Sequence, residues 1–523
     1  MTERIERKVW FLFSIADVIF ITVLVGILIG KGKLLADADV GLHIRVGEYI
    51  MDNFAVPTHD IFTHTIPTPV WTAHEWLSEG IFAVLYKPFG LTGVVLFMTS
   101  VIAAIYAVLF KFLRSSGVSI IVAFLTVLLA AGASAIHWIA RPHIFSLMLV
   151  LVWYIILDAY QYKNKNYLYL LPFLMLLWVN LHGGYIIGFV LLIIYITGNF
   201  LKARFTKQDR EVASSRVKKL ILFFLLCLVA ALLNPQGYKI LLFPFNLTTN
   251  TFITNYITEW LSPNFHGFSI YEYMLLVTIL VLGSSIKRLN VIELMLVLIF
   301  THLSLFAARY IPLYAVIISP IIGKQVDRII EEVKGKGHLK EFTSTSDNMA
   351  AVDSNTKWYL WSVLAMVVVI FMGFTGKINY DFDKKIMPVD AVQFLKNEKI
   401  EARVFDSYVF GSYIIYAAWP QIEAFIDGRA DMYSKQQTEE YLKVVGGQRG
   451  WQDVLKKYDI TWIIYNNESV FSNVLLERDD WQLIYSDKVA NIFVKRTPEN
   501  QPLINKYPNV KPVAAEQKED ETK

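Results

Sequence analysis

The stretch 37–79 holds four of the chain's ten histidines, along with Asp37, Asp39, Arg45, Glu75 and Glu79. Asp39 and His43 are four residues apart, so one helical turn sets them on a common face with Asp37 beside it. A carboxylate held in place can act as a general base on a hydroxyl, and Arg45 is close enough in sequence to pair with one. The same residues would also suit an ordinary solvated loop, but Gly41 and Gly47 bracket an otherwise amphipathic run. Residues 71–76 then read WTAHEW. His74 and Glu75 look like the start of a zinc-protease motif, yet four residues after His74 stands Ser78, not a second histidine, which argues against that chemistry. Trp71 and Trp76 suit a membrane-interface belt and a surface for stacking on a sugar equally well.

Other polar residues sit at the ends of apolar runs: Arg141 in HWIARPH, Asn180 and His182 in WVNLHGGY, Asn234 in NPQGY and Arg309 in FAARYIP. A charge at bilayer depth costs roughly 2.5–3.5 kcal/mol on insertion scales. An arginine at a helix end can snorkel to the interface, or its planar fork can bind phosphate oxygens. Near the end of the chain, FIDGRADMY (425–433) follows an expected strand. Its Asp-Gly reads as a turn, with Arg429 paired to Asp431 in a structural role.

The elements that must position these groups are mostly membrane helices. The chain is 55% hydrophobic and 18% charged, against about 25% charged in a soluble domain. Apolar stretches near 9–30, 80–110, 118–136, 143–160, 167–180, 184–201, 218–233, 270–286, 290–306, 309–323 and 358–376 are long enough to cross a hydrocarbon core of roughly 30 Å. The expected fold class is therefore an α-helical polytopic membrane protein of about eleven transmembrane helices. The first apolar run is too long for a signal-peptide core and reads as an uncleaved helix. Lysine and arginine bias the loops. Lys111, Arg114, Lys163, Lys165, the cluster 202–219, Lys287, Arg288 and the segment 324–357 face the cytoplasm if the N-terminus does. His43, His59, His64, His74, His137, His143, His182, His266 and His302 then all fall on the outer side, which suggests a shared polar cavity there.

The segments divide as 1–376, membrane domain, with a first outer loop at 31–79 and a flexible cytoplasmic linker at 324–357; 377–498, an extracytoplasmic α/β domain; and 499–523, a disordered tail. Strands are expected at 403–406, 422–426, 461–465, 483–485 and 490–494, and helices at 388–397 and 452–458. Cys227, the lone cysteine, lies in an apolar run and reads as a packed thiol. A net charge of +4 does not suggest a nucleic-acid partner.

No Walker loop and no GxGxxG after a strand occurs, and no cytoplasmic segment is large enough to bind a nucleotide sugar. A sugar transferase of this layout would need a donor presented on the outer side, and a polyprenyl-phosphate-linked sugar is the natural candidate.

The layout, with Asp37-Ala-Asp39 just after the first helix, resembles the GT-C superfamily of polytopic glycosyltransferases, which includes protein O-mannosyltransferases and the aminoarabinose transferase acting on lipid A. DADVGLHIRVGE, PTHDIF, HEWLSE and FIDGRADMY bring it closer to a set of bacterial membrane proteins carrying these stretches. The resemblance implies transfer of a sugar, with inversion, from a polyprenyl-phosphate-linked donor to a lipid, glycan or protein acceptor at the outer face of the plasma (inner) membrane. Asp39 or Asp37 would be the base. His43, His74 and Glu75 would orient the acceptor or hold a divalent metal. Arg141 and Arg309, with Arg45, would bind the donor phosphate, and Trp71, Asn180 and His182 the substrate. A transporter or lipid flippase, or a non-catalytic glycan-binding membrane protein, is the competing reading; a transporter would call for charged or broken helices near the midplane.

Overall fold

The computed structural model of the chain describes residues 11–30, 33–65, 71–206, 210–285, 288–333, 338–357 and 359–513. Expectations resting on Lys31, on 66–70 of the outer loop, on 334–337 of the linker and on 514–523 of the tail lie outside that set. The chain forms two compact units. A helical unit comprises Met1–Lys31, Thr92–Pro244 and Thr254–Asn379, and a sheet-bearing unit comprises Gly32–Leu91, Phe245–Ile253 and Tyr380–Lys523.

All the expected apolar stretches are helical: Ile15–Ile29, Trp76–Ser115, Ile120–Ser134, His143–Tyr162, Leu171–Leu181, Ile186–Phe205, Arg210–Ala231, Ile270–Ser284, Val291–Phe306, Ile311–Val333 and Leu360–Phe374. By length and composition, four helices among the described residues suffice to cross a membrane: Trp76–Ser115, Ile120–His137, His143–Tyr162 and Gly183–Phe205. With Leu225, Val229, Ile279, Val367 and Phe371 among its many exposed large apolar side chains, the helical unit presents to its surroundings what only lipid would favour. The chain is a multi-pass membrane protein. Trp76–Ser115 is two helices merged across a kink at Gly90, two residues after Pro88. Cys227 is buried and unbridged.

Within the helical unit, Ile311–Val333 packs on Ile120–Ser134, Ile270–Ser284 and Val291–Phe306, and Ile186–Phe205 packs on Arg210–Ala231. The first and last membrane helices are joined through Asp17, whose Oδ1 accepts the Ser362 N–H at 2.9 Å and its hydroxyl at 2.6 Å. The expected flexible linker is instead helical in its described parts: Ile311–Val333 runs into it and His338–Ser354 follows. The second helix contains neither proline nor glycine, and near its end Asp353 accepts the Ile15 N–H at 2.7 Å and pairs with Lys111.

In the sheet-bearing unit, β1 (Ala402–Asp406), β2 (Ile422–Glu423), β3 (Trp462–Asn466), β4 (Trp481–Ser486) and β5 (Ala490–Lys495) form a mixed sheet in the order β2-β1-β3-β5-β4. β1 runs parallel to β2 and β3, while β5 is antiparallel to β3 and β4. Phe405, Phe425, Tyr441, Trp451, Tyr465 and Phe471 pack a largely aromatic core on it. Helices at Tyr408–Ala418, Lys435–Val445 and Val470–Leu476 join the two expected ones. The expected disordered tail begins with a helix, Gln501–Lys506, because Pro502 suits its first turn, Ile504 is buried and Lys506 pairs with Glu398.

The described residues of the 33–79 stretch are part of this unit. Thr63 pairs with Ala424 in a parallel bridge, the Thr65 hydroxyl donates to Phe425 O at 2.9 Å, and Trp419 Nε1–H donates to Ile61 O at 3.1 Å. The loop thereby covers what would be an open sheet edge next to β2. Asp39–Asn53 folds as a helix that packs on Tyr408–Ala418. Gly47 lets the Trp76–Ser115 helix come close: a Cβ there would meet Glu79 O at 2.0 Å.

Candidate functional site

Asp39 is the first residue of its helix, and its N–H donates to Asp37 Oδ1 at 2.9 Å, so Asp37 starts the helix with a turn-forming carboxylate. Asp39 is 9% exposed. Its Oδ1 accepts the Ser412 hydroxyl at 2.7 Å, and Ser412 Oγ in turn accepts the Gly428 N–H at 3.1 Å. Gly428 is the residue this arrangement requires, because a Cβ there would lie 2.0 Å from Asp39 Oδ1. The acidic motif and the distal FIDGRADMY stretch, far apart in sequence, thus touch through a serine that sequence reasoning missed.

One turn on from Asp39, His43 Nδ1 lies 3.2 Å from Glu79 Oε1, and His43 Nε2 lies 4.0 Å from Glu75 Oε2. Glu75 Oε1 is 3.5 Å from His74 Nε2. Carboxylate and imidazole alternate along Glu79, His43, Glu75 and His74. Burial alone would depress His43, but the Glu79 hydrogen bond and the charges of Glu79, Glu75 and Asp39 outweigh it and raise its pKa. His74 is likewise raised against its burial, by Glu75 first and then by Asp431 and Glu79. Burial lifts the Asp431 carboxyl, and His74 offsets part of that. Such a chain can store and pass protons near neutral pH.

Arg429 does not pair with Asp431 by direct contact. Its Nε donates to Asp427 Oδ1 at 2.9 Å, its Nη2 contacts Asp427 Oδ2, and its Nη1 lies 2.8 Å from Asp60 Oδ1. It is 7% exposed, with its guanidinium 4.6 Å from the Trp71 ring centre and 5.3 Å from that of Phe62. The loop thus brings a second carboxylate that local spacing could not reveal. It also corrects the expectation for Trp71: at 6% exposed and covered by a guanidinium, this ring is a wall of the Arg429 cage and not an open sugar platform. Arg45 is held away from a phosphate role as well. Its Nη1 pairs with Glu48 at 2.6 Å and its Nε donates to Tyr416 O at 2.7 Å.

In the helical unit a second constellation forms. Arg309 Nη1 lies 3.3 Å from Glu259 Oε1, Arg141 Nη1 lies 3.6 Å from Glu259 Oε2, and His137 Nε2 lies 3.7 Å from the same oxygen. Arg309 also sits 4.3 Å over the Trp260 ring. Burial would raise the Glu259 carboxyl, but Arg309, Arg141, His137 and His182 together pull it down to about 2, so it is ionised at any physiological pH. Sequence reasoning named both arginines and missed Glu259, which has no motif around it. The His143 ring lies 4.3 Å from His137 and 6.4 Å from His182. His182 Nδ1 is within 2.7 Å of Ser146 Oγ and accepts the Gly184 N–H at 2.9 Å, which leaves Nε2 to carry the proton in the neutral ring. Asn180 is structural: buried, it donates to Leu176 O and Leu233 O, and Asn234 donates to its Oδ1. His59, His266 and His302 are exposed and join neither group.

Among the described residues no group of three or more His, Cys, Asp or Glu is arranged to hold a metal ion. His43, His74 and Glu75 pair with one another and with Glu79.

No protein-family model matches the chain, and no curated protein matches it. Solved structures do. The crystal structure of the oligosaccharyltransferase of Archaeoglobus fulgidus in its apo form superposes with a TM-score of 0.54 at 10% identity, over 87% of this chain and 69% of that one. The Archaeoglobus fulgidus oligosaccharyltransferase AglB in complex with an inhibitory peptide and a dolichol-phosphate gives 0.56 at 12% identity over the same shares. With its helical membrane unit and its small C-terminal sheet, the chain shares the fold of these two oligosaccharyltransferase structures over most of its length.

Proposed function

We propose that this chain is a membrane glycosyltransferase that moves a sugar from a polyprenyl-phosphate-linked donor to a lipid, glycan or protein acceptor at the outer face of the plasma membrane. Asp39 or Asp37 takes the proton of an acceptor hydroxyl as its oxygen attacks the anomeric carbon. The carbon–oxygen bond to phosphate breaks with inversion, and polyprenyl phosphate leaves with the bonding pair. Arg141 and Arg309 stabilise the charge that builds on that phosphate, and His43, Glu75 and His74 carry the proton onward. The observation that carries the reading is the convergence of Arg141, Arg309 and His137 at one place in a fold shared with those oligosaccharyltransferase structures. The neighbour bound to a peptide and a dolichol-phosphate supports a lipid phosphate as the donor's leaving group.

The test is lipid and glycan profiling of a strain deleted for the gene. One glycan modification should disappear and an unconsumed polyprenyl-phosphate sugar should accumulate. Wild-type protein should restore the modification. Asp39→Asn and Arg309→Ala, expressed at equal level, should each supply it at least about a hundredfold less well, the scale of losing one transition-state electrostatic contact. Full restoration by both variants would refute the assignment.

A further inference from the structure

One membrane helix carries charges that the sugar-transfer reading does not use. Arg210–Ala231 opens with charged and hydroxyl-bearing turns and runs without a break into an apolar stretch. From Ile221 onward its exposed large side chains, Ile221, Leu222, Leu225, Leu226 and Val229, are all apolar and face lipid. Lys218 stands three residues before that stretch, about 4.5 Å along the axis, and so at the level of the headgroups that border the hydrocarbon. Arg210, Glu211, Ser214, Ser215 and Lys218 line a surface concavity of about 550 Å³. Their spacing sets them there: Arg210, Ser214 and Lys218 follow one another four residues apart, and Glu211 and Ser215 form the neighbouring row. Among the described residues none of these five side chains makes a hydrogen bond or an ion pair. Ser134 and Ser319 turn their hydroxyls back to the carbonyl four residues earlier, as a serine inside a helix commonly does; Ser214 and Ser215 do not. Arg216 differs too, since its Nη2 donates to Asn164 Oδ1 at 3.0 Å and ties the helix to the turn after His143–Tyr162.

We propose that this concavity binds the phosphodiester headgroup of an anionic phospholipid, in the leaflet that the lysine and arginine bias of the loops assigns to the cytoplasm. Arg210 and Lys218 meet the charge of the phosphate, and the Ser214 and Ser215 hydroxyls donate to its oxygens. Glu211 accepts from headgroup hydroxyls such as those of glycerol. Arg210 and Lys218 against Glu211 leave the lining with one positive unit. That balances a phosphodiester without an ammonium group, whereas a phosphate monoester carries more negative charge at neutral pH. A choline headgroup has no N–H for Glu211 and brings no net charge to balance the site. The bound lipid would fix the depth of Arg210–Ala231 in the bilayer, a role separate from sugar transfer.

The experiment uses the purified full chain in detergent, titrated with dioleoyl phosphatidylglycerol or dioleoyl phosphatidylcholine. Native mass spectrometry reads the lipid retained, and thermal unfolding reads the protection it gives. Phosphatidylglycerol should bind wild type and raise its unfolding temperature, and phosphatidylcholine should give no comparable rise. Arg210→Gln with Lys218→Gln should weaken phosphatidylglycerol binding about thirtyfold, the scale of removing two charges at a headgroup layer. Ser214→Ala with Ser215→Ala should weaken it about fivefold. Without lipid these variants should unfold where wild type does, because none of the four side chains holds a neighbour among the described residues. Lys165→Gln with Lys340→Gln removes two exposed charges assigned to the same face but outside the concavity, and should cost less than about threefold. Equal losses in the two charge pairs would reduce the effect to a general attraction between basic surface and lipid and overturn the site. Equal protection by the two lipids would overturn the anionic headgroup. Full displacement of the lipid by millimolar inorganic phosphate would overturn the lipid assignment in favour of a soluble phosphate. None of these outcomes bears on the sugar-transfer reading.

Discussion

Asp39 is held by contacts that leave little slack. Its Oδ1 takes the Ser412 hydroxyl, and Gly428 presses its backbone against the carboxylate. Gly428→Ala puts a methyl where Asp39 now is, so it should destabilise the protein by about 1–3 kcal/mol, the usual cost of overpacking. The partner change Asp39→Ala empties that space. The double variant should therefore be more stable than Gly428→Ala alone, with a coupling measurable in a thermal-unfolding cycle. A Gly428→Ala protein as stable as wild type would show that the two residues do not press on each other. The residues around this pair were only partly legible. Asp37, Asp39, His43, His74 and Glu75 stood out as polar groups in an apolar chain. Ser412 and Glu259 did not, because one serine in an apolar helix and one glutamate in a loop carry no local pattern; each is defined by a partner distant in sequence.

At the scale of elements, the loop that follows the helix Asp39–Asn53 and the sheet are tied by the buried Arg429, which binds Asp427 from its own turn and Asp60 from the loop. Removing one member of a buried ion cluster typically costs about 3–5 kcal/mol, because the others are left charged and unpaired. Arg429→Met keeps bulk against Trp71 and Phe62 but leaves two carboxylates together. It should release the loop, which proteinase K would report as new cleavage between residues 54 and 65, with the core of the sheet still protected. Unchanged cleavage would mean that Thr63, Thr65 and Trp419 hold the loop without it. Sequence reasoning paired Arg429 with Asp431, although Asp427 lies equally near along the chain. The structure chose Asp427 and Asp60 because a buried guanidinium offers five donors and one local carboxylate cannot satisfy them.

For the whole molecule, the lysine and arginine bias of the loops carries an orientation with it. Alkaline phosphatase fused after residue 513 should be active in an intact bacterial cell, while the same enzyme placed between the helices Ile186–Phe205 and Arg210–Ala231 should be inactive. The opposite pattern would invert the topology and, with it, the side on which a lipid-linked donor must be offered. The helices were legible because a bilayer forces each crossing segment to satisfy its own backbone with a long apolar run, and such runs survive in the one-dimensional record. The five strands were legible from alternating β-branched and aromatic residues, and each is found within a few residues of its expected place. The sequence by itself determined the membrane class, the order of the apolar helices and of the five strands, and the polar character of 37–79. Only the tertiary structure decided that this loop belongs to the C-terminal sheet, that Arg141 and Arg309 meet at Glu259, and that Trp71 and Arg45 are already engaged. The reason is physical: apolar periodicity is a local property of the chain, whereas a buried charge is placed by whichever counter-charge the fold delivers, and that residue can come from anywhere in the sequence.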